Sequence, residues 1–236
     1  FLVSLKTEDG DEAWRVNREE SSQYSTPFVW KNSLRDEIIV GGMQYQSFDP
    51  KTGVKLWTLD MNKGRSSATP IAIGDTLYVG NEFRNRGGPD DGGGRLYAVK
   101  PGGKGDITPP NDGKQGEFVL WRMDDSGIQM ASPTYAGGSL YFLQRRRGIL
   151  TTVDAKTGEK QYEARVRGAA AFWSSPWTDG ENVFALDSGG NTHVIRGGRR
   201  FDVVAVNELN QQAWGTPAIS EGRIFLRTVD HLYCIE

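Results

Sequence analysis

Short apolar runs separated by turns rich in Gly, Asp and Asn fill the chain, and one phrase sets their frame. A small residue, then Ser or Thr, then Pro occurs five times: Ser25-Thr26-Pro27, Ala68-Thr69-Pro70, Ala131-Ser132-Pro133, Ser174-Ser175-Pro176 and Gly215-Thr216-Pro217. The prolines stand 43, 63, 43 and 41 residues apart, and the long interval holds an insertion. Strand-type self-similarity at a period of 40-odd residues predicts propeller blades.

Each Ser/Thr-Pro predicts the start of a strand, because Pro has no N–H to give a ladder and suits a strand's first position. A second run follows a turn: Ile38-Ile39-Val40, Leu77-Tyr78-Val79, Leu140-Tyr141-Phe142, Val183-Phe184-Ala185 and Ile224-Phe225-Leu226. The third run is residues 45–48, 96–99, 150–153, 193–195 and 232–235, with a further copy at 2–5. The fourth follows turns such as Asp49-Pro50-Lys51-Thr52-Gly53 and Asp154-Ala155-Lys156-Thr157-Gly158. In these turns Asp bonds the backbone ahead of it and Gly takes the position with φ above zero.

An aromatic lies four residues past the turn glycine in three copies, at Trp14, Trp57 and Tyr162, and one residue further along at Trp121. The copy at Gly198 to Val204 has lost it. These four rings are expected to bridge neighbouring blades rather than to stack on a ligand. Four strands per repeat is a blade. The expected fold is therefore an all-β propeller of four-stranded blades in one domain, 1–236. The approximate repeats are 1–44, 45–94, 95–149, 150–190 and 191–236. The third strand type occurs six times and the others five, which fits an arc of about five blades from a larger ring of seven or eight. Missing N-terminal blades, and a chain that is mature or a piece of a longer one, are expectations of this count and of the strand-like opening Phe-Leu-Val-Ser-Leu, which has neither an initiator Met nor a signal peptide.

Composition narrows the function classes. The net charge of −2 supplies no general attraction to nucleic acid or anionic membrane. Cys234 is the only cysteine, so neither an intrachain disulfide nor a cysteine-rich metal site is available. No apolar run reaches the ~20 residues of a membrane span. The 30 glycines and 11% aromatics suit short strands, tight turns and large rings between sheets.

The Ser/Thr-Pro phrase, the Leu-Tyr-Ala-Val strand at 96–99, the Asp-x-x-Thr-Gly turn and the tryptophans together resemble the pyrroloquinoline-quinone-like propeller repeat. The resemblance covers nearly the whole chain. It extends to the BamB-type assembly scaffolds and to the quinoprotein dehydrogenases, which are enzymes. It implies an extracytoplasmic location in a bacterial envelope and, on the enzyme branch, pyrroloquinoline quinone with Ca²⁺ or a lanthanide. The adjacent cysteine pair of the quinoprotein alcohol dehydrogenases is missing here, and no stretch maps onto their metal ligands or their aspartate base.

Candidate chemistry is sparse: there is no nucleophile elbow, Walker A loop, His-Glu-x-x-His or EF-hand loop. His193 and His231 fall in copies of the third strand and are read as sheet residues, two histidines making a weak zinc site. The insertion from Arg84 to Gly116 is read as a solvated loop, the alternative being that its glycines cradle an anion or its carboxylates meet a cation. Arg145-Arg146-Arg147 and Arg199-Arg200 are read as exposed turn charges.

The most informative positions lie three residues before each repeated Pro: Tyr24, Ser67, Met130, Trp173 and Trp214. If the Pro-led strand is innermost, these side chains, with Gln23, Gln129 and Arg65, ring the channel mouth, where they would hold a flat ligand or a peptide. Packing among blades is the favoured reading of these side chains, with ligand holding as its alternative. The leading expectation is a non-catalytic, monomeric scaffold that presents this face or its blade edges to a protein partner or small ligand. The alternative is a quinone- and metal-dependent oxidoreductase.

Overall fold

The structure, a computed structural model, describes residues 1–20, 23–61, 64–82, 93–110, 116–126, 128–145 and 148–236. All secondary-structure elements among them are strands, and they form six sheets. The chain divides into two compact units, Phe1–Asp125 and Ser126–Glu236.

In the first unit, β1 (Leu2–Leu5) and β2 (Glu12–Val16) form an antiparallel pair. Next, β3 (Phe28–Lys31), β4 (Asp36–Val40), β5 (Gln44–Phe48) and β6 (Lys55–Asp60) pair in sequence order. β7 (Ile71–Ile73), β8 (Thr76–Glu82) and β9 (Gly93–Val99) continue the series. β10 (Gly105–Asp106) leaves the connection after β9 and adds to the outer edge of β6 in parallel, before β11 (Val119–Met123) completes the sheet of β7 to β9.

In the second unit, β12 (Thr134–Ala136), β13 (Ser139–Gln144), β14 (Ile149–Asp154) and β15 (Lys160–Arg165) form one sheet. β16 (Trp177–Thr178), β17 (Asn182–Leu186), β18 (Asn191–Arg196) and β19 (Val203–Glu208) form another. β20 (Ala218–Ser220), β21 (Arg223–Arg227) and β22 (Leu232–Ile235) form the last.

These are up-and-down propeller blades: four have all four strands, one supplies a third and fourth strand, and one a first to third. The hydrogen-bonded sheets run from Pro-led strand to fourth strand, so they are cut in a different phase from the sequence repeats. Repeat 45–94, for instance, joins the outer half of one blade to the inner half of the next.

Local chemistry explains the elements. Each of the five prolines sits one residue before its strand, where the missing N–H costs no ladder bond. Asp49 Oδ1 accepts from Lys51 N, Thr52 N and Thr52 Oγ1, each at 2.9 Å, while Gly53 takes φ +71°. Asp154 and Gly158 (φ +73°) repeat the device. All five fourth strands carry a register shift one residue before the same position, which is Trp14, Trp57, Trp121, Tyr162 or Ala205. A bulge re-aims the side chain that follows it.

The re-aimed rings lie on glycines and rings of the adjacent blade. A Cβ on Gly53 would stand 2.6 Å from the Trp14 ring, and one on Gly103 would stand 2.9 Å from Trp57. Tyr162 meets Phe201 with ring centroids 6.0 Å apart. Trp121 instead tilts against Tyr78 of its own sheet, at 5.9 Å. Burying one such indole removes roughly 200 Å² from water, worth roughly 5 kcal/mol before entropy.

The described part of the insertion is therefore not a solvated loop. Gly103 packs on Trp57, β10 extends the sheet, and Ile107 is buried beside Trp57 and Leu59. The reason is the outer edge of β6, whose unpaired backbone groups the insertion satisfies. Residues 83–92 and 111–115 lie outside the described residues.

Candidate functional site

Within each unit, hydrogen bonds join the segments leading into neighbouring Pro-led strands. In the second unit, Ser132 N donates to Ser175 Oγ at 2.9 Å, and Ser175 N donates to Thr216 Oγ1 at 2.8 Å. The hydroxyls before Pro176 and Pro217 thus each take the amide of the equivalent residue one blade earlier. In the first unit, Tyr24 N and Ser25 N both donate to Ser66 O, at 3.0 and 3.2 Å. The approach is close: a Cβ on Gly41 would stand 2.5 Å from Ser25 Oγ and 2.6 Å from Ser66 Cβ. The Ser175 and Thr216 hydroxyls thus serve to join the segments through backbone amides.

On these segments the structure sets pairs of aromatic and arginine side chains. In the first unit Tyr24 is 62% exposed, and the Arg65 guanidinium lies 5.0 Å from its ring centroid. Arg65 is held by the buried Glu82 carboxylate and by two backbone bonds to the same residue, at 3.1 and 3.0 Å. Around them, Gln23 Oε1, Ser25 Oγ and Ser67 Oγ are buried with no hydrogen-bond partner. In the second unit the Arg145 guanidinium lies 4.8 Å over Trp173, which is 41% exposed. Arg145 is held from below, its N donating to Gln129 Oε1 at 2.8 Å and its Nη1 to Met130 Sδ at 3.3 Å. Trp214, at the corresponding position one blade on, is 55% exposed.

The structure thus brings Tyr24, Gln23 and Arg65 together in one unit, and Gln129, Met130 and Trp173 in the other. Trp14, Trp57, Trp121 and Tyr162 lie in the blades, away from these segments. Two sequence readings need correction. Arg145 is buried rather than an exposed turn charge, because it covers Trp173 while its backbone is tied to Gln129. Arg146 and Arg147 lie outside the described residues. His231 precedes β22 instead of lying in it, with Nδ1 3.2 Å from Gln211 Oε1.

Sequence reasoning missed Glu82, which lies at the end of β8 far along the chain from Tyr24 and whose place only pairing could reveal. It also missed Asp187, which is buried at the end of β17. There it accepts from Ala170 N, Gly189 N and Asn191 N at 2.8 to 3.0 Å, and its Oδ2 lies 3.0 Å from His193 Nε2. Burial alone would raise its pKa, but the bonds from His193 and the three amides outweigh this and hold it below the usual carboxylate value. His193 stands edge-on to Phe172, with its Nδ1 buried and unpartnered.

A quinone with a divalent ion would need several uncommitted oxygen donors. The carboxylates near these segments are spoken for. Glu20 takes Met43 N at 2.7 Å beside Arg18, Glu82 takes Arg65, and Asp187 holds its own turn and His193. The described residues of these segments do not fit the group, and no group of three or more His, Cys, Asp or Glu suited to a metal occurs among the described residues.

Comparisons with known proteins agree on the architecture. A family model described as outer membrane protein assembly factor BamB matches residues 2–106. No curated protein matches the sequence. Among solved structures, the chain is similar to BamB from Moraxella catarrhalis, with 14% identity and a TM-score of 0.72 over 98% of this chain and 65% of that one. It is also similar to a quinohemoprotein alcohol dehydrogenase from Pseudomonas putida HK5, with 14% identity and a TM-score of 0.60 over 90% of this chain and 40% of that one. The enzyme of the same kind from Comamonas testosteroni gives 11% identity and a TM-score of 0.59, over 87% and 40%. The chain thus spans 65% of the BamB structure and 40% of each dehydrogenase. With its blade topology and these likenesses together, this chain has a β-propeller fold, and its residues 2–106 match the family model of the assembly factor BamB.

Proposed function

We propose that this chain is a non-catalytic, extracytoplasmic scaffold that binds a protein partner through the segments leading into its Pro-led strands. One observation carries the reading. Tyr24, Trp173 and Trp214 occupy the same repeat position with large exposed areas, and two of them lie under arginines fixed by their own partners. Exposed aromatics held by Arg provide contact area at low entropic cost, which is what interface anchors require. The orphaned Gln23 Oε1 and Ser67 Oγ add acceptors and donors beside them. The likeness to an assembly factor points the same way.

Selection of binders from a random peptide display on the immobilised chain tests this reading. Peptides that bind the native chain and are lost with Trp173→Ala or Tyr24→Ala support it. Binders indifferent to both substitutions refute it. Calorimetry with pyrroloquinoline quinone and Ca²⁺ addresses the oxidoreductase alternative: saturable micromolar binding would replace the scaffold reading with that one.

A further inference from the structure

Among the described residues, the outer edge of β6 carries an added strand and that of β19 carries none. Along β6, Gly105 and Asp106 pair in parallel with Trp57 and Thr58, Ile107 N donates to Thr58 O at 2.9 Å, and Asp60 N donates to Thr108 Oγ1 at 2.9 Å. The shared bulge fixes the correspondence, so that Trp57, Thr58 and Asp60 of β6 match Ala205, Val206 and Glu208 of β19. By that register the Val206 carbonyl and the Glu208 amide face outward, in the positions that bind the added strand on β6.

The side chains of β19 also lack the usual protection. Charges on an edge strand discourage pairing, and an open apolar edge invites it. Glu12 and Arg15 guard β2, Arg122 stands in β11, and Lys160, Glu163 and Arg165 guard β15. β19 carries no charge before Glu208, and Val204 and Val206 are 41% and 45% exposed. At its N-terminal end, residues 196–202 line an open depression with three arginines. Arg196 pairs with Asp202 and Arg199 with Asp154, whereas Arg200 is exposed and makes no ion pair among the described residues.

We propose that the β19 edge docks an extended segment of a protein partner, added parallel to β19 as β10 is to β6. An acidic residue of that segment meets Arg200, and alternate apolar side chains then cover Val204 and Val206. This rests on the scaffold reading but uses a different surface, so each can fail alone.

The probe is a synthetic peptide of two Asp followed by alternating Val and Thr, titrated into the whole chain. Saturable binding is expected, with slowed amide exchange at Glu208. Methylating alternate peptide amides should abolish binding. Val206→Lys should weaken it about tenfold or more and Arg200→Gln several-fold, with Val206→Thr and Trp173→Ala retaining it. Circular dichroism melting that is unchanged in Val206→Lys shows that the fold is intact. Absence of binding overturns the proposal, as does binding that survives Val206→Lys and the methylated peptide. Binding lost with Trp173→Ala but kept with Val206→Lys would move the site to the segment that carries Trp173. A dimer in sedimentation that Val206→Lys dissolves would give the edge to a second copy of this chain instead.

Discussion

The indole N–H of Trp57 donates to the Glu37 carboxylate at 2.6 Å, and both side chains are withdrawn from water. Glu37 also accepts from Ser47 Oγ at 2.5 Å, Asn32 Nδ2 at 3.2 Å and Arg35 Nε at 3.0 Å. Arg35 Nη2 then donates to Gly103 O at 2.8 Å, beside the face where Gly103 covers Trp57. One buried anion thus ties β4, β5 and β6 to the insertion that leaves the next blade.

Removing this anion orphans several buried donors at once. Glu37→Ala is expected to destabilise the fold by about 3–5 kcal/mol, and Trp57→Phe by about 1–3 kcal/mol, in urea unfolding curves. Equal and small losses would show that the carboxylate is solvated.

Gly10 and Gly53 separate backbone strain from packing. Both have φ near +75° (+79° and +71°), but a Cβ meets nothing at Gly10 and the Trp14 ring at Gly53. Gly10→Ala should cost about 1 kcal/mol, and Gly53→Ala about 1–2 kcal/mol more, by chemical denaturation.

Asp187 gives the fold an acid-side dependence. Its folded pKa lies below the unfolded value near 4. The stability it contributes is therefore complete above about pH 4 and lost as pH falls through the lower folded value. Asp187→Asn should be less stable at neutral pH, and its stability should fall less steeply than the native chain's below about pH 4. Parallel unfolding curves at several pH values read this directly, and an unchanged acid slope would assign the loss elsewhere.

Tyr45 acts on the alkaline side. Its hydroxyl lies 2.8 Å from Gly80 O and 3.2 Å from Ala68 O, and burial pushes its pKa to about 12. The stability it contributes is complete below the unfolded pKa of about 10 and is lost as pH rises toward about 12. Tyr45→Phe should cost about 1 kcal/mol at neutral pH and flatten the loss above about pH 10, followed by circular dichroism.

Much of this protein was legible in the sequence because the blade devices are local. Pro before a strand, Asp accepting from the next two amides and Gly at positive φ act within a few residues, so the periods of Ser/Thr-Pro and Asp-x-x-Thr-Gly revealed the strands and the six third-type copies. The aromatic positions were also visible; the bulge that aims them was not, since it depends on the partner strand's register. Pairing across blades was the hidden layer. That Arg145 would lie over Trp173, that Glu82 would hold Arg65 beneath Tyr24, and that Gly103 and Ile107 would fold back onto Trp57 and Thr58 follow from which strand ends meet. The sequence by itself determined the repeat and its turns through short-range hydrogen bonding and sterics. Only the tertiary structure decided which charges are buried and which edges stay open, because desolvation and pairing depend on neighbours far along the chain.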